Sequence, residues 1–131
     1  MTLWLGVAYA LGSVLHLFYT LMWFDMVVHC SAGVAIGLLV YMTFEYVSEK
    51  PMTYSERLRK GISIVLLIGL LWECYELYFG ITSLRSADYF ADNGMDVVMD
   101  TLGGMIALFY AQWKVGSVSK LNETTISLYT K

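Results

Sequence analysis

Residues 58–80 read LRKGISIVLLIGLLWECYELYFG. The stretch matches the ~20 residues that carry a helix across ~30 Å of hydrocarbon. It contains no proline, and no charge falls between Lys60 and Glu73. A helix that is apolar all round belongs in lipid or in a large core. This run therefore reads as a transmembrane helix, yet its outer part sets two acids, Glu73 and Glu76, among leucines and aromatics.

Three further runs of similar character flank it, at about residues 3–23, 25–47 and 95–116. The chain of 131 residues is 58% apolar and only 15% charged, with a mean hydropathy of +0.61. That is well beyond ordinary soluble composition. The expected fold is all-α: a polytopic membrane protein in which residues 1–116 form a single four-transmembrane-helix bundle. Residues 117–131, SVSKLNETTISLYTK, read as a short polar tail. The first two helices are joined at Met22-Trp23-Phe24, where only an abrupt reversal fits. SEKPMTYSER, with the only proline, links the second and third, and ITSLRSADYFADNG forms a lid or interfacial loop before the fourth. Ala8-Tyr9-Ala10 looks like a cleavage site, but no basic segment precedes it, so an uncleaved first helix is expected.

Basic residues orient the bundle. Lys50, Arg57, Arg59, Lys60, Lys114, Lys120 and Lys131 fall on one face with the N-terminus, against Arg85 alone on the other. Both termini are thus expected in the cytoplasm, with the protein a multi-pass component of the cytoplasmic (inner) membrane. The Asn122-Glu123-Thr124 sequon then lies on the wrong side for glycosylation. A net charge of −3 with no basic stripe gives no footprint for nucleic acid.

The ionisable residues inside the runs share a depth. Asp25 and His29 are four apart in FDMVVHCSAG, Glu73 and Glu76 three apart, and Asp92, Asp96 and Asp100 recur every four in DNGMDVVMDTLGG. From the helical rise, His16, His29, Glu73 and Asp100 lie roughly 8–10 Å below the outer helix ends, and Asp25, Glu76 and Asp96 roughly 2–6 Å. Small residues continue the same stripes: Gly33 and Gly37 after His29, Gly61 and Gly69 before Glu73, Gly104 after Asp100. Such residues let membrane helices approach closely, which turns the stripes inward.

Five carboxylates with no Lys or Arg in the outer halves of the helices are costly, a charged Asp at mid-helix alone about 3 kcal/mol. The acids can keep protons, open into a water-filled funnel or hold a cation. Cation binding uses every feature, imidazole included, and an oxygen-rich set with His suits Mg, Mn, Fe or Zn. The candidate ligands are Asp25, His29, Glu73, Glu76, Asp96 and Asp100. Simpler accounts compete at several positions. Asp25 sits where an Asp N-cap is ordinary, and Asp92 where a first-turn acid is favoured. Asp100 is too deep to cap, and Glu73 and Glu76 lie at a helix end whose dipole disfavours acids. Asp25 can orient His29 through the second ring nitrogen. His16 reads more simply as a helix–helix contact, and Cys30 and Cys74 as buried thiols and not a disulfide. Trp23, Tyr41, Tyr46, Tyr78, Tyr89 and Trp113 read as interfacial anchors. Arg85 pairs with Asp88 or meets an anionic substrate above the cluster.

Phe24, Asp25, His29 and Gly33, then Glu73 and Glu76, then Asp96, Asp100, Gly103 and Gly104 together resemble the signature of the YjdF-like family of small bacterial and archaeal membrane proteins. The resemblance spans about residues 23–108 and implies the fold and the site, without a reaction. A looser similarity to VanZ-like proteins is broken by Glu76, where a Gln is expected, and by the lack of an arginine before the final acids.

Three functions stay open. A metal-dependent hydrolase or transferase would act on a lipid-like substrate in the membrane lipid, with Glu76 as base in the upper tier. A cation- or proton-coupled transport component would use the acids as a relay, and since the inner halves are apolar a homo-oligomer would have to complete its path. A structural subunit would use protonated acids to hold helices together.

Overall fold

A computed structural model describes residues 2–15, 21–48, 52–80 and 89–129, all helical apart from short connections. The helices are α1 (Thr2–Val14), α2 (Met22–Val47), α3 (Tyr54–Tyr78) and α4 (Tyr89–Tyr129). Among the described residues, three segments are long and apolar enough to cross a membrane: Trp23–Val47, Tyr54–Tyr78 and Tyr89–Gly116. As described, α1 covers 13 residues. His16, Arg85 and Asp88 lie outside the described residues.

Several expected boundaries move. The second helix, α2, begins at Met22 and α4 at Tyr89, while the expected end of the first helix falls partly on residues outside those described. The polar stretch after residue 116 is helical as far as Tyr129. Hydropathy marks where a helix leaves lipid, but nothing in this proline-free segment obliges the backbone to stop there. The ends of α3 are encoded locally. Thr53 and Glu56 form a reciprocal capping box at the start. At the end the chain turns at Gly80, whose φ of +69° suits a residue without Cβ.

The bundle is built on α2 and α4, which run in the same direction with their backbones touching. A Cβ at Gly33 would overlap the carbonyl oxygen of Asp100, and one at Gly103 that of Cys30. One turn further along, a Cβ at Gly37 would stand 2.7 Å from the Gly104 carbonyl oxygen. Antiparallel to both, α3 closes the groove by side-chain fit, with Val65 filling the space over Gly104 and Leu108 lying against Gly61. Gly61, Val65, Gly69 and Glu73 form its buried stripe, as their spacing predicts. Outward-facing Leu67, Leu71, Ile106 and Tyr110 are exposed, as a lipid-facing surface would be.

The end of the bundle away from the acids carries its own ion pair. Arg57 of α3 donates to Glu45 of α2, and its guanidinium lies 5.0 Å from the centre of the Tyr41 ring. Tyr41, expected as an interfacial anchor, is instead buried beneath this pair, with Leu108 and Ala111 packed beside it. Trp23, Tyr46 and Tyr78 are exposed near helix ends, and Trp113 is exposed near the end of the apolar span Tyr89–Gly116.

The backbone contact sets a sharp expectation. Gly33→Ala and Gly103→Ala should each lower the unfolding free energy in detergent by about 1–3 kcal/mol, the cost of overpacking. Gly94→Ala, with nothing within 4 Å of its added Cβ, should not destabilise. Equal losses at all three positions would show that α2 and α4 do not meet backbone to backbone.

Candidate metal centre among the three spans

Because His29 precedes Gly33 by one turn and Asp96 precedes Asp100 by one turn, the α2–α4 contact places the imidazole between two carboxylates. His29 Nδ1 lies 3.3 Å from Asp100 Oδ2. On the other side of the ring, Nε2 stands 3.7 Å from Asp25 Oδ1 and 4.0 Å from Asp96 Oδ1. Asp25, His29 and Asp96 can each turn one ligand atom into a group whose members all lie within 4.8 Å of one another. His29, Asp96 and Asp100 are buried, and Asp25 is half-buried.

The distances separate two kinds of contact. At 3.3 Å, Asp100 is at the long edge of hydrogen-bond range, and it fixes which nitrogen faces it. Separations of 3.7 and 4.0 Å are too long for hydrogen bonds. They match two ligands of one ion, since atoms each about 2.0–2.2 Å from a metal stand about 3–4 Å apart. One imidazole with carboxylates suits Mg, Mn, Fe or Zn by donor chemistry.

Asp25 does not cap its helix. The N-cap of α2 is Leu21, with no side-chain cap, and Asp25 lies in the first turn, aimed one turn on at His29. Asp92 occupies the first turn of α4 and is exposed, as expected of an acid that answers the helix dipole. Asp100 lies two turns deeper than Asp92, and a Cβ at Gly69 would stand 3.1 Å from its Oδ2. The Asp100 carboxyl group therefore sits against α3 as well as against His29.

Glu73 is buried in the crevice between α3 and α4. Its Oε2 accepts a hydrogen bond of 2.5 Å from Asn93 Nδ2. Glu76, one turn nearer the helix end, is half-buried and accepts from Trp72 Nε1 at 3.1 Å. Both thiols are free. Cys30 is half-buried, whereas Cys74 is exposed, contrary to the expectation of a buried thiol, because it falls on the outward face of α3.

Two residues at the site escape a reading of charges alone. Asn93 is neutral and stands before the expected start of helix 4, but it shares the spacing of Asp96 and Asp100 on one helical face. Trp72 reads as a lipid-facing aromatic, and only its four-residue distance from Glu76 hints at the hydrogen bond.

No curated protein and no solved structure matches the chain. A family described as predicted membrane protein (DUF2238) matches residues 1–115, which include every residue of the cluster. This is the family of the YjdF-like proteins whose motifs the sequence resembles. The chain is thus a member of the DUF2238 family of predicted membrane proteins.

Proposed function

We propose that this protein is a divalent-cation protein of the cytoplasmic membrane, with the ion held by Asp25, His29 Nε2 and Asp96 and the imidazole oriented by Asp100. The observation that carries the reading is the pair of carboxylates facing Nε2 at 3.7 and 4.0 Å, with the third carboxylate on Nδ1. A proton on Nδ1 directed at Asp100 leaves the Nε2 lone pair for a cation, the arrangement by which a second partner fixes a metal-binding histidine. Mg, Mn, Fe and Zn are the candidate ions.

The basic residues support the orientation in which the cluster faces away from the cytoplasm. Arg57, Arg59 and Lys60 open α3 at the end opposite Glu73, and Lys114 lies on α4 at that same end. In this reading the chain makes four crossings, its termini are cytoplasmic, and the site opens toward the outer leaflet. The chemistry such a site would run is hydrolysis or group transfer at an ester or phosphoester of a lipid-like substrate, for which a bound cation supplies an activated water. Glu76, at the mouth of the cluster and only half-buried, is the base in this scheme.

Metal analysis tests the proposal directly. Protein purified without chelator, or reloaded with Mn, Fe or Zn, should carry a near-stoichiometric ion, and His29→Ala and Asp96→Asn should carry traces. Trace metal in all three proteins after reloading would end the reading. A second expectation concerns stability. An ion at a hundred times its Kd should raise the unfolding free energy of the native protein by about 2.7 kcal/mol and leave His29→Ala unmoved. An equal gain in both would place the ion elsewhere.

A further inference from the structure

The end of the bundle opposite the acids leaves three buried polar atoms unmatched, one from each span. The Tyr41 hydroxyl of α2, Nε of Arg57 on α3 and Oε1 of Gln112 on α4 have no hydrogen-bond partner among the described residues. Tyr41 is only 4% exposed. Its hydroxyl interacts electrostatically with Arg57 and Glu45 but meets neither in hydrogen-bond geometry. The three residues line one cleft, together with Tyr54, Leu58 and Leu108. That cleft is narrow, about 160 Å³ counted to its mouth, and it opens to the outside on one side. Tyr54, 48% exposed, is the lining side chain with the most freedom to swing clear. Burying a polar group without a partner is unfavourable, so three around one opening mark a place for a polar group from outside.

We propose that this cleft is a second site, which holds the headgroup phosphate of an anionic phospholipid from the adjoining leaflet. Glu45 occupies Nη1 of Arg57. The other edge of the guanidinium, Nε with Nη2, is a planar fork that matches two phosphate oxygens. The Tyr41 hydroxyl adds a third donor, and the Gln112 amide, turned over, a fourth. The charge around the cleft agrees. The three spans carry Arg57, Arg59, Lys60 and Lys114 at this end, against Glu45 and Glu56. Basic pockets between spans are where anionic lipid headgroups bind. The site does not depend on the cation reading. Tyr41 follows His29 by 12 residues on α2, which is roughly 18 Å along the helix.

Native mass spectrometry of the detergent-solubilised protein tests this, with phosphatidylglycerol, phosphatidylcholine and inorganic phosphate as probes. One phosphatidylglycerol should be retained about tenfold more tightly than phosphatidylcholine, and inorganic phosphate should not displace it. Tyr41→Phe keeps the ring and removes the hydroxyl, and Arg57→Lys keeps the charge and removes the fork. Each should weaken retention about tenfold or more. Arg59→Gln, which removes a cation outside the cleft, should weaken it only slightly. The lipid-free melting temperature of Tyr41→Phe should not fall, because the lost hydroxyl has no partner there. A clear fall would reveal a partner inside the protein and count against the site. Equal retention of the two lipids would overturn the proposal, and displacement by inorganic phosphate would make the cleft a free-anion site instead. It would also be overturned by a loss in Arg59→Gln as large as in Arg57→Lys, the mark of diffuse surface charge. Native retention in Tyr41→Phe would do the same, leaving Tyr41 a packing residue only.

Discussion

The contact between the backbones of α2 and α4 is the constraint on which the site depends. Hydrocarbon gives two apolar helices little reason to associate, so close approach has to be built from residues that take no space. Gly33 accommodates the Asp100 carbonyl and Gly103 that of Cys30. That register leaves no choice one turn outward, where His29 falls between Asp96 and Asp100. Helices held at the ordinary 8–10 Å by larger side chains would keep these short polar groups apart. The third span follows from the same choice, since the gap over Gly104 receives Val65 and the absence of a side chain at Gly69 makes room for Asp100.

The two ends of the bundle handle charge in different ways. At one end Arg57 and Glu45 neutralise each other above the Tyr41 ring. That pair is partly open to solvent, so its contribution to stability is small, and its use is to fix the register of α3 against α2. At the other end three carboxyl groups gather around one imidazole, with no Lys or Arg among the described residues nearby. The N-termini of α2 and α4 offer their partial positive charge there, but that influence fades within a turn. It serves Asp25 and Asp92 and does little for Asp96 or Asp100, which lie further along α4.

Much of this was legible in the sequence because helical spacing is rigid. Asp25 with His29, Glu73 with Glu76, and Asp96 with Asp100 could be placed on faces before any fold was known, and the glycines of the same stripes showed which way those faces turn. What stayed hidden depends on contacts between elements or on where helices stop. The pairing of Glu45 with Arg57 appears only when α2 and α3 are brought together. Tyr41 has the composition of an anchor, and its burial is decided by Leu108 and Ala111 on a helix far along the chain. Hydropathy places the start of the fourth helix at residue 95, which puts Asn93 in the preceding loop, whereas α4 already begins at Tyr89. The polar residues after 116 read as a tail for the same reason.

The balance of donors and acceptors bears on the cation proposal. Polar side chains that hold membrane helices together do so by matching, with each buried acceptor facing a donor at hydrogen-bond distance. Here Asp25, Asp96, Asp100 and Glu73 each bring two acceptor oxygens, and an imidazole offers at most two N–H donors. One of its nitrogens is within range of Asp100, and the other faces two carboxylates that are too far to accept from it. Asn93 satisfies one oxygen of Glu73, and its partner is left with nothing. As a hydrogen-bond network of ionised acids, the acidic end leaves the buried Glu73 Oε1 without a donor. Under the cation proposal, the carboxylates that face Nε2 supply the acceptors an ion between them would use.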